Sequence, residues 1–150
     1  MVVRVQEADF DMVAEMDRMR AGRVDIGALV SFTGLVRGTA AGEAIDAMTL
    51  EHYPGMTESA LARIEAQAVA RWTLQATLII HRTGRLRPGD QIVLVATASP
   101  HRADAFAAAE FLMDYLKSRA PFWKKEGTRD GGKWVDARDS DETALERWSG

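Results

Sequence analysis

Residues 76–99, ATLIIHRTGRLRPGDQIVLVATAS, constrain the fold more than any other stretch of the chain. Two apolar runs, one through Leu78, Ile79 and Ile80 and one from Ile92 to Ala96, flank a Pro-Gly pair at 88–89 that suits a tight turn. A strand with one wet face alternates apolar and polar side chains. These runs are nearly continuous, so two strands buried on both faces are expected.

Three amphipathic segments can pack against such strands. ADFDMVAEMDRMR (8–20) sets Phe10, Val13, Met16 and Met19 at helical spacing, with Asp9 as its cap. PGMTESALARIEAQAVARW (54–72) predicts a helix entered at Thr57, with Leu61, Ile64, Ala68 and Trp72 as its buried stripe. SPHRADAFAAAEFLMDYLKS (99–118) turns Ala105, Phe106, Ala109, Leu112, Met113 and Leu116 inward, and Pro121 ends that helix or follows its end. GALVSFTGLVR (27–37) alternates as a strand, with Ala28, Val30, Phe32 and Val36 on one face and Ser31, Thr33 and Arg37 on the other. GTAAGEA (38–44) is a loop and IDAMTLEHY (45–53) a second strand. KWVDAR (133–138) is a short strand and DSDETALERW (139–148) a closing helix. Helices that return to a mainly antiparallel sheet make the fold class α+β.

At 150 residues, one domain spanning 1–150 is expected. No apolar run approaches the roughly 20 residues of a membrane span. The amino terminus, MVVRVQEADFDM, lacks a long apolar region with a small-residue cleavage site, which predicts a cytoplasmic protein. A net charge of −3 weighs against nucleic-acid binding. The chain has no cysteine, which excludes disulfides, a thiolate nucleophile, a persulfide and an iron–sulfur site. His52, His81 and His101 are not at metal-motif spacing, and no metal or cofactor is expected.

Basic charge is local. From Lys117 to Lys133 there are six Lys/Arg against two acids, Glu126 and Asp130. In YLKSRAPFWKKEGTRDGGKW, Lys117, Lys124 and Lys125 stand among Tyr115, Phe122, Trp123 and Trp134. Such a patch suits a small anion or an acidic tail. A lysine half-buried beside apolar groups loses solvation and becomes a better nucleophile or proton carrier. The same spacing also fits a snorkelling lysine whose stem covers apolar surface. In SPHR, Ser99 can cap the helix and Pro100 can take its first position, which sets His101 and Arg102 in the first turn. An arginine there opposes the helix dipole at a cost of about 0.3–1 kcal/mol unless an anion is bound. Side chains that point into solvent are the alternative. Arg37 ends its strand either as a ligand clamp or as a plain surface charge, and HRTG (81–84) reads as structural.

GALVSFTGLVR, LEHYPGMTE, HRTGRLRPGD, SPHRADAF, MDYLKSRAPFWKKE and KWVDAR, in this order, resemble the family of molybdopterin synthase large (catalytic) subunits from about Phe10 to Trp148. The resemblance implies an α/β hammerhead-like α+β fold. It also implies a sulfurtransferase that installs a dithiolene on cyclic pyranopterin monophosphate (precursor Z) to give molybdopterin. The implied partner is a small ubiquitin-like sulfur carrier. Its C-terminal Gly-Gly thiocarboxylate threads into the large subunit, within a heterotetramer built on a central homodimer. Catalytic lysines then fall on Lys117 and Lys124, and the phosphate-binding pair on His101 and Arg102. The strand-end arginine falls on Arg37, and Phe32 and Met113 line the pocket.

His101 and Lys117 lie roughly 24 Å apart on one helix at 1.5 Å per residue, so a shared site must take them from different chains. The rival is a non-catalytic dimeric module that binds a phosphorylated ligand or an acidic tail. It would tolerate Lys117→Arg, because charge alone would suffice.

Overall fold

The computed structural model describes residues 1–40, 42–128, 131–135 and 139–149. In chain order these form β1 (Val2–Gln6), α1 (Met12–Arg20), β2 (Ala28–Leu35), β3 (Thr39–Ala40), β4 (Glu43–Ala44), β5 (Ala47–His52) and α2 (Met56–Arg71). They continue as β6 (Ala76–Arg82), β7 (Gly84–Leu86), β8 (Gln91–Ser99), α3 (Arg102–Arg119), β9 (Phe122–Thr128), β10 (Gly131–Val135) and α4 (Asp139–Glu146). One four-stranded sheet has the order β1-β6-β8-β2 and a second the order β10-β9-β5-β7, with β3 and β4 as a separate hairpin. Every described pair is antiparallel except β1 with β6. The α+β class is therefore what the chain adopts.

Strands β6 and β8 are covered on both faces, as their continuous apolar runs require. Leu78, Ile80, Leu94 and Ala96 point to α1, where Phe10, Met16 and Met19 meet them. Ile79, Val93 and Val95 point the other way, onto Leu61, Ile64 and Ala68 of α2 and Phe111, Leu112 and Leu116 of α3. The strands expected around the Pro-Gly pair divide between the two sheets. Gly84, at φ 83°, redirects the chain after β6, so that β7 pairs with β5 instead. A left-handed φ of that kind is open to glycine at no steric cost. Ile92 packs against both the α2/α3 core and the Val36–Met48–Leu50–Leu86 cluster, which joins the two sheets.

Several local expectations are corrected. Asp11, not Asp9, caps α1 by accepting from Ala14 N at 3.0 Å, while Asp9 accepts from Phe10 N and from Gln91 Nε2. Val13 is exposed, and Glu15 is buried instead, held by Arg4 and Arg18 at 2.6 Å each. Helix α2 starts one residue before Thr57, with Gly55 at its cap. A register shift between Gly34 and Leu35 breaks the alternation of β2, so Phe32 and Val36 do not share one buried row. Phe106 is 63% exposed, and Phe111 fills the core in its place. The 38–44 loop contains the β3–β4 hairpin. The strand expected at 133–138 is found as far as Val135, and residues 136–138 lie outside the described residues. Strands β1 and β9 were not expected at all.

At the start of β2, Gly27 N bonds to Ser99 O at 3.1 Å, and a Cβ on Gly27 would lie 2.0 Å from Pro100 O. A backbone oxygen cannot yield as a flexible side chain can. Gly27→Ala is therefore expected to destabilise the protein by about 1–3 kcal/mol. Urea unfolding measures this, and a change of under 0.5 kcal/mol, the usual size of a surface effect, would contradict the contact.

Candidate active site

Helix α3 packs antiparallel to β8: Thr97 Oγ1 donates to Ala105 O at 2.7 Å near one end, and Val93 meets the Phe111–Leu116 side chains near the other. Strand β2 is antiparallel to β8 and so runs alongside α3 in the same direction, with Ala28 opposite Ser99. This geometry sorts the candidate residues into two ends. His101 and Arg102 sit beside the start of β2. Arg37 lies just past its finish, at the end of α3 that carries Lys117.

At the first end the helix begins later than the SPHR pattern suggested. Ser99 Oγ donates to Thr73 O at 2.8 Å and accepts from His101 N at 3.3 Å, and α3 starts at Arg102 with His101 as its cap. The His101 side chain makes no capping hydrogen bond, and both His101 and Arg102 are exposed. Two donor side chains thus flank a helix N-terminus, where the dipole and open N–H groups favour an anion.

At the other end α3 continues unbroken to Arg119, and Pro121 follows its C-cap, Ala120. Lys117, in the last turn, complements the helix dipole. It is exposed in this chain rather than half-buried as expected, because the buried face runs through Leu112 and Leu116. The chain then turns directly into β9. Thr57 Oγ1 of α2 donates to Pro121 O at 3.1 Å and accepts from Tyr53 N, so the corner is tied to the start of α2. By strand alternation Phe122 and Lys124 share one face of β9. Trp123, on the other face, meets Tyr53 edge-on at 4.2 Å. Of the basic run, Arg129 and Asp130 and the side chains of Lys125, Glu126, Lys133 and Trp134 lie outside the described residues.

His81, of β6, meets the first residue of β9. Its ring lies 3.8 Å from that of Phe122 at 18°, and Nδ1 is 2.8 Å from Arg82 O, which assigns the proton to that nitrogen in the neutral ring. Burial above all, opposed by the backbone hydrogen bond and aided by the nearby Lys117 charge, holds its pKa down at about 4. Phe122 also packs against the core that includes Leu116, the residue before Lys117, so the stack stands where the end of α3 meets the start of β9. The sequence had marked HRTG as structural only. The available signal was a histidine set in an otherwise apolar strand. Phe32 lies opposite Val95, on the α3 side of the sheet, and is 43% exposed at the open edge, while Met113 packs partly into the core one turn before Lys117.

The description "MoaE protein" belongs to the family model that matches residues 5–119, more than half of the chain. The chain belongs to the MoaE family. The MoaE match includes Arg37, His101, Arg102 and Lys117 and ends before Lys124. Longer similarity covers that lysine. A molybdopterin synthase catalytic subunit of Ralstonia nicotianae is 63% identical over 146 residues, covering 97% of this chain and 83% of the relative. The solved molybdopterin biosynthesis MoaE protein of Burkholderia ambifaria superposes with a TM-score of 0.85 at 55% identity, covering 99% of this chain and 98% of that one. A molybdopterin synthase crystal structure from Staphylococcus aureus gives 0.81 at 35% identity, covering 89% and 96%. No helix among the described residues is long and apolar enough to cross a membrane.

The buried imidazole has a measurable consequence. Its pKa is depressed from 6.5 to about 4 in the fold, so between those values the unfolded chain binds a proton that the native one refuses. Stability from this residue is therefore constant above pH 6.5 and falls as pH drops, by about 3 kcal/mol at pH 4. Urea unfolding of the wild type and His81→Phe across this range should show a shallower acid slope in the variant. Parallel slopes would mean that His81 titrates normally.

Proposed function

We propose that this protein is the catalytic subunit of a molybdopterin synthase. It moves sulfur from the C-terminal thiocarboxylate of a small ubiquitin-like carrier onto cyclic pyranopterin monophosphate, forming the dithiolene of molybdopterin. The observation that carries it is the unbroken α3, which sets His101 and Arg102 at its start and Lys117 in its last turn, roughly 24 Å away; we read the first as the phosphate end and Lys117, with Lys124 of β9, as the amine end. In this reading His101 and Arg102 take the substrate phosphate. Arg37 clamps the ligand at the lysine end, and Phe32 and Met113 wall the pocket around the ring. Lys117 and Lys124 supply amines that carry a proton or take the acyl group.

A monophosphate is too short to bridge both ends of one helix, so the site is composite. His101 and Arg102 come from one chain and Lys117 from its two-fold partner. The open edge strand β2, with Phe32 and Leu35 exposed, and the exposed Phe106 on α3 supply apolar surface suited to that homodimer contact. A carrier at each end completes a heterotetramer. Because the chain has no cysteine, sulfur must arrive on a partner. A biosynthetic role of this kind places the protein in the cytoplasm, acting as one domain over residues 1–150.

Incubation with the pterin substrate and a thiocarboxylated carrier, followed by assay for molybdopterin, tests the reading directly. A carrier lacking its final two glycines is expected to dock and yield no product. Product from that truncated carrier would rule out a threaded tail.

A further inference from the structure

His81 is not among the residues that the proposed reaction uses, yet its ring stacks on the first residue of β9, the strand that supplies Lys124. It is 5% exposed, one residue from the end of β6. Burying an imidazole in an apolar strand is unfavourable unless its polar atoms are satisfied. The proton on Nδ1 is satisfied by Arg82 O at 2.8 Å. That bond also fixes the tilt of the ring, whose face is presented to Phe122 at 3.8 Å and 18°. Phe122 is the first residue of β9 and follows directly on the corner where Thr57 Oγ1 holds Pro121 O. His52 of β5 approaches Phe122 at 6.5 Å from a different angle, at 32°.

The Phe122 ring borders the α2/α3 core, and among the described residues His81 gives it its stacked contact, while Lys124 stands two residues further along the same face of the strand. That core includes Leu116, one residue before Lys117 on α3. A change in the seat of Phe122 is therefore transmitted to one lysine through the strand, and it alters the surroundings of the other.

We propose that His81 is a positioning residue for the lysine site: its ring, oriented by the Arg82 carbonyl, seats Phe122 and so fixes where Lys124 stands relative to Lys117. This inference rests on the synthase reading for its kinetic consequence and on the geometry alone for its structural one. Two measurements separate them.

In steady-state assays with a thiocarboxylated carrier, His81→Ala is expected to lower kcat by about 10–100-fold, the scale of a misplaced reactive group. KM for the pterin should be unchanged, because the groups assigned to hold it, His101, Arg102, Arg37, Phe32 and Met113, are not on the strand that His81 seats through Phe122. His81→Phe stacks but cannot donate to Arg82 O, so it should fall between wild type and His81→Ala. The second measurement needs no activity. With lysines ¹³C-methylated, the Lys117 and Lys124 resonances at neutral pH should move in His81→Ala. They should stay in place in Leu94→Ala, a core truncation on the opposite face of the sheet that serves as the stability control. His81→Ala with wild-type kcat and unmoved resonances would overturn the proposal. Leu94→Ala that shifts them equally, or His81→Phe no better than His81→Ala, would overturn it too. If the wild type itself makes no molybdopterin, the synthase reading fails, and the resonances still decide the role of His81.

Discussion

Lys117→Ala is expected to abolish molybdopterin formation, with kcat lower by about 10²–10⁴-fold, the range for loss of a positioned proton-transfer group. The fold should survive. Lys117 is exposed, Leu112 and Leu116 carry the burial on that turn, and truncating a surface side chain stays within about 0.5 kcal/mol. Lys124→Ala should lower the rate strongly as well. Lys117→Arg is the sharper test, because guanidinium keeps the charge and cannot lose its proton or accept an acyl group. A module that only binds an anion or an acidic tail would tolerate arginine, whereas the synthase would not. Near-normal turnover in Lys117→Ala would remove it from the chemistry.

Mixing two dead proteins should restore activity. Arg102→Ala lacks the phosphate end of the site and Lys117→Ala lacks the amine end. If each site takes Arg102 from one chain and Lys117 from the other, a mixed dimer holds one site with both lesions and one with neither. After random exchange of equal amounts, half of the dimers are mixed, so about a quarter of all sites become intact. Activity near a quarter of wild type, appearing only under conditions that exchange subunits, is the expected result. Exchange demonstrated by a tag without any recovery would mean that each chain builds its site alone. The unbroken course of α3 from Arg102 to Arg119 would then need another explanation.

The parts of this molecule that were legible in its sequence are those in which neighbouring residues decide the outcome. The continuous run at Leu78–Ile80 and its partner at Ile92–Ala96 could be stable only if covered twice. SPHR next to a long helical pattern announced the helix that has His101 and Arg102 at its start and Lys117 in its last turn. Strand β9 was hidden because FWKKEGT has no strand-like pattern of its own, and its conformation comes from pairing with β5, Leu50 opposite Lys124 and His52 opposite Phe122. The departure of β7 into the second sheet hangs on the backbone of Gly84, which HRTG does not announce. The part played by His81 depends on a stack with Phe122, a residue distant in the chain, and local pattern cannot report it.

The uninterrupted α3 also sets a tolerance for length. One residue inserted between His101 and Lys117 would advance the lysine by about 1.5 Å and swing it by about 100° around the axis. Inserting two full turns would restore its direction but leave it about 10 Å too far along. Under two-fold symmetry each such error recurs in both sites at once. Relatives that keep the chemistry should therefore vary α3 by exchange of side chains and not by insertion or deletion, whereas the β3–β4 hairpin, which joins neither large sheet, is free to lengthen or shorten. The helix behaves as a gauge block: its surface can be refinished, but its length is fixed.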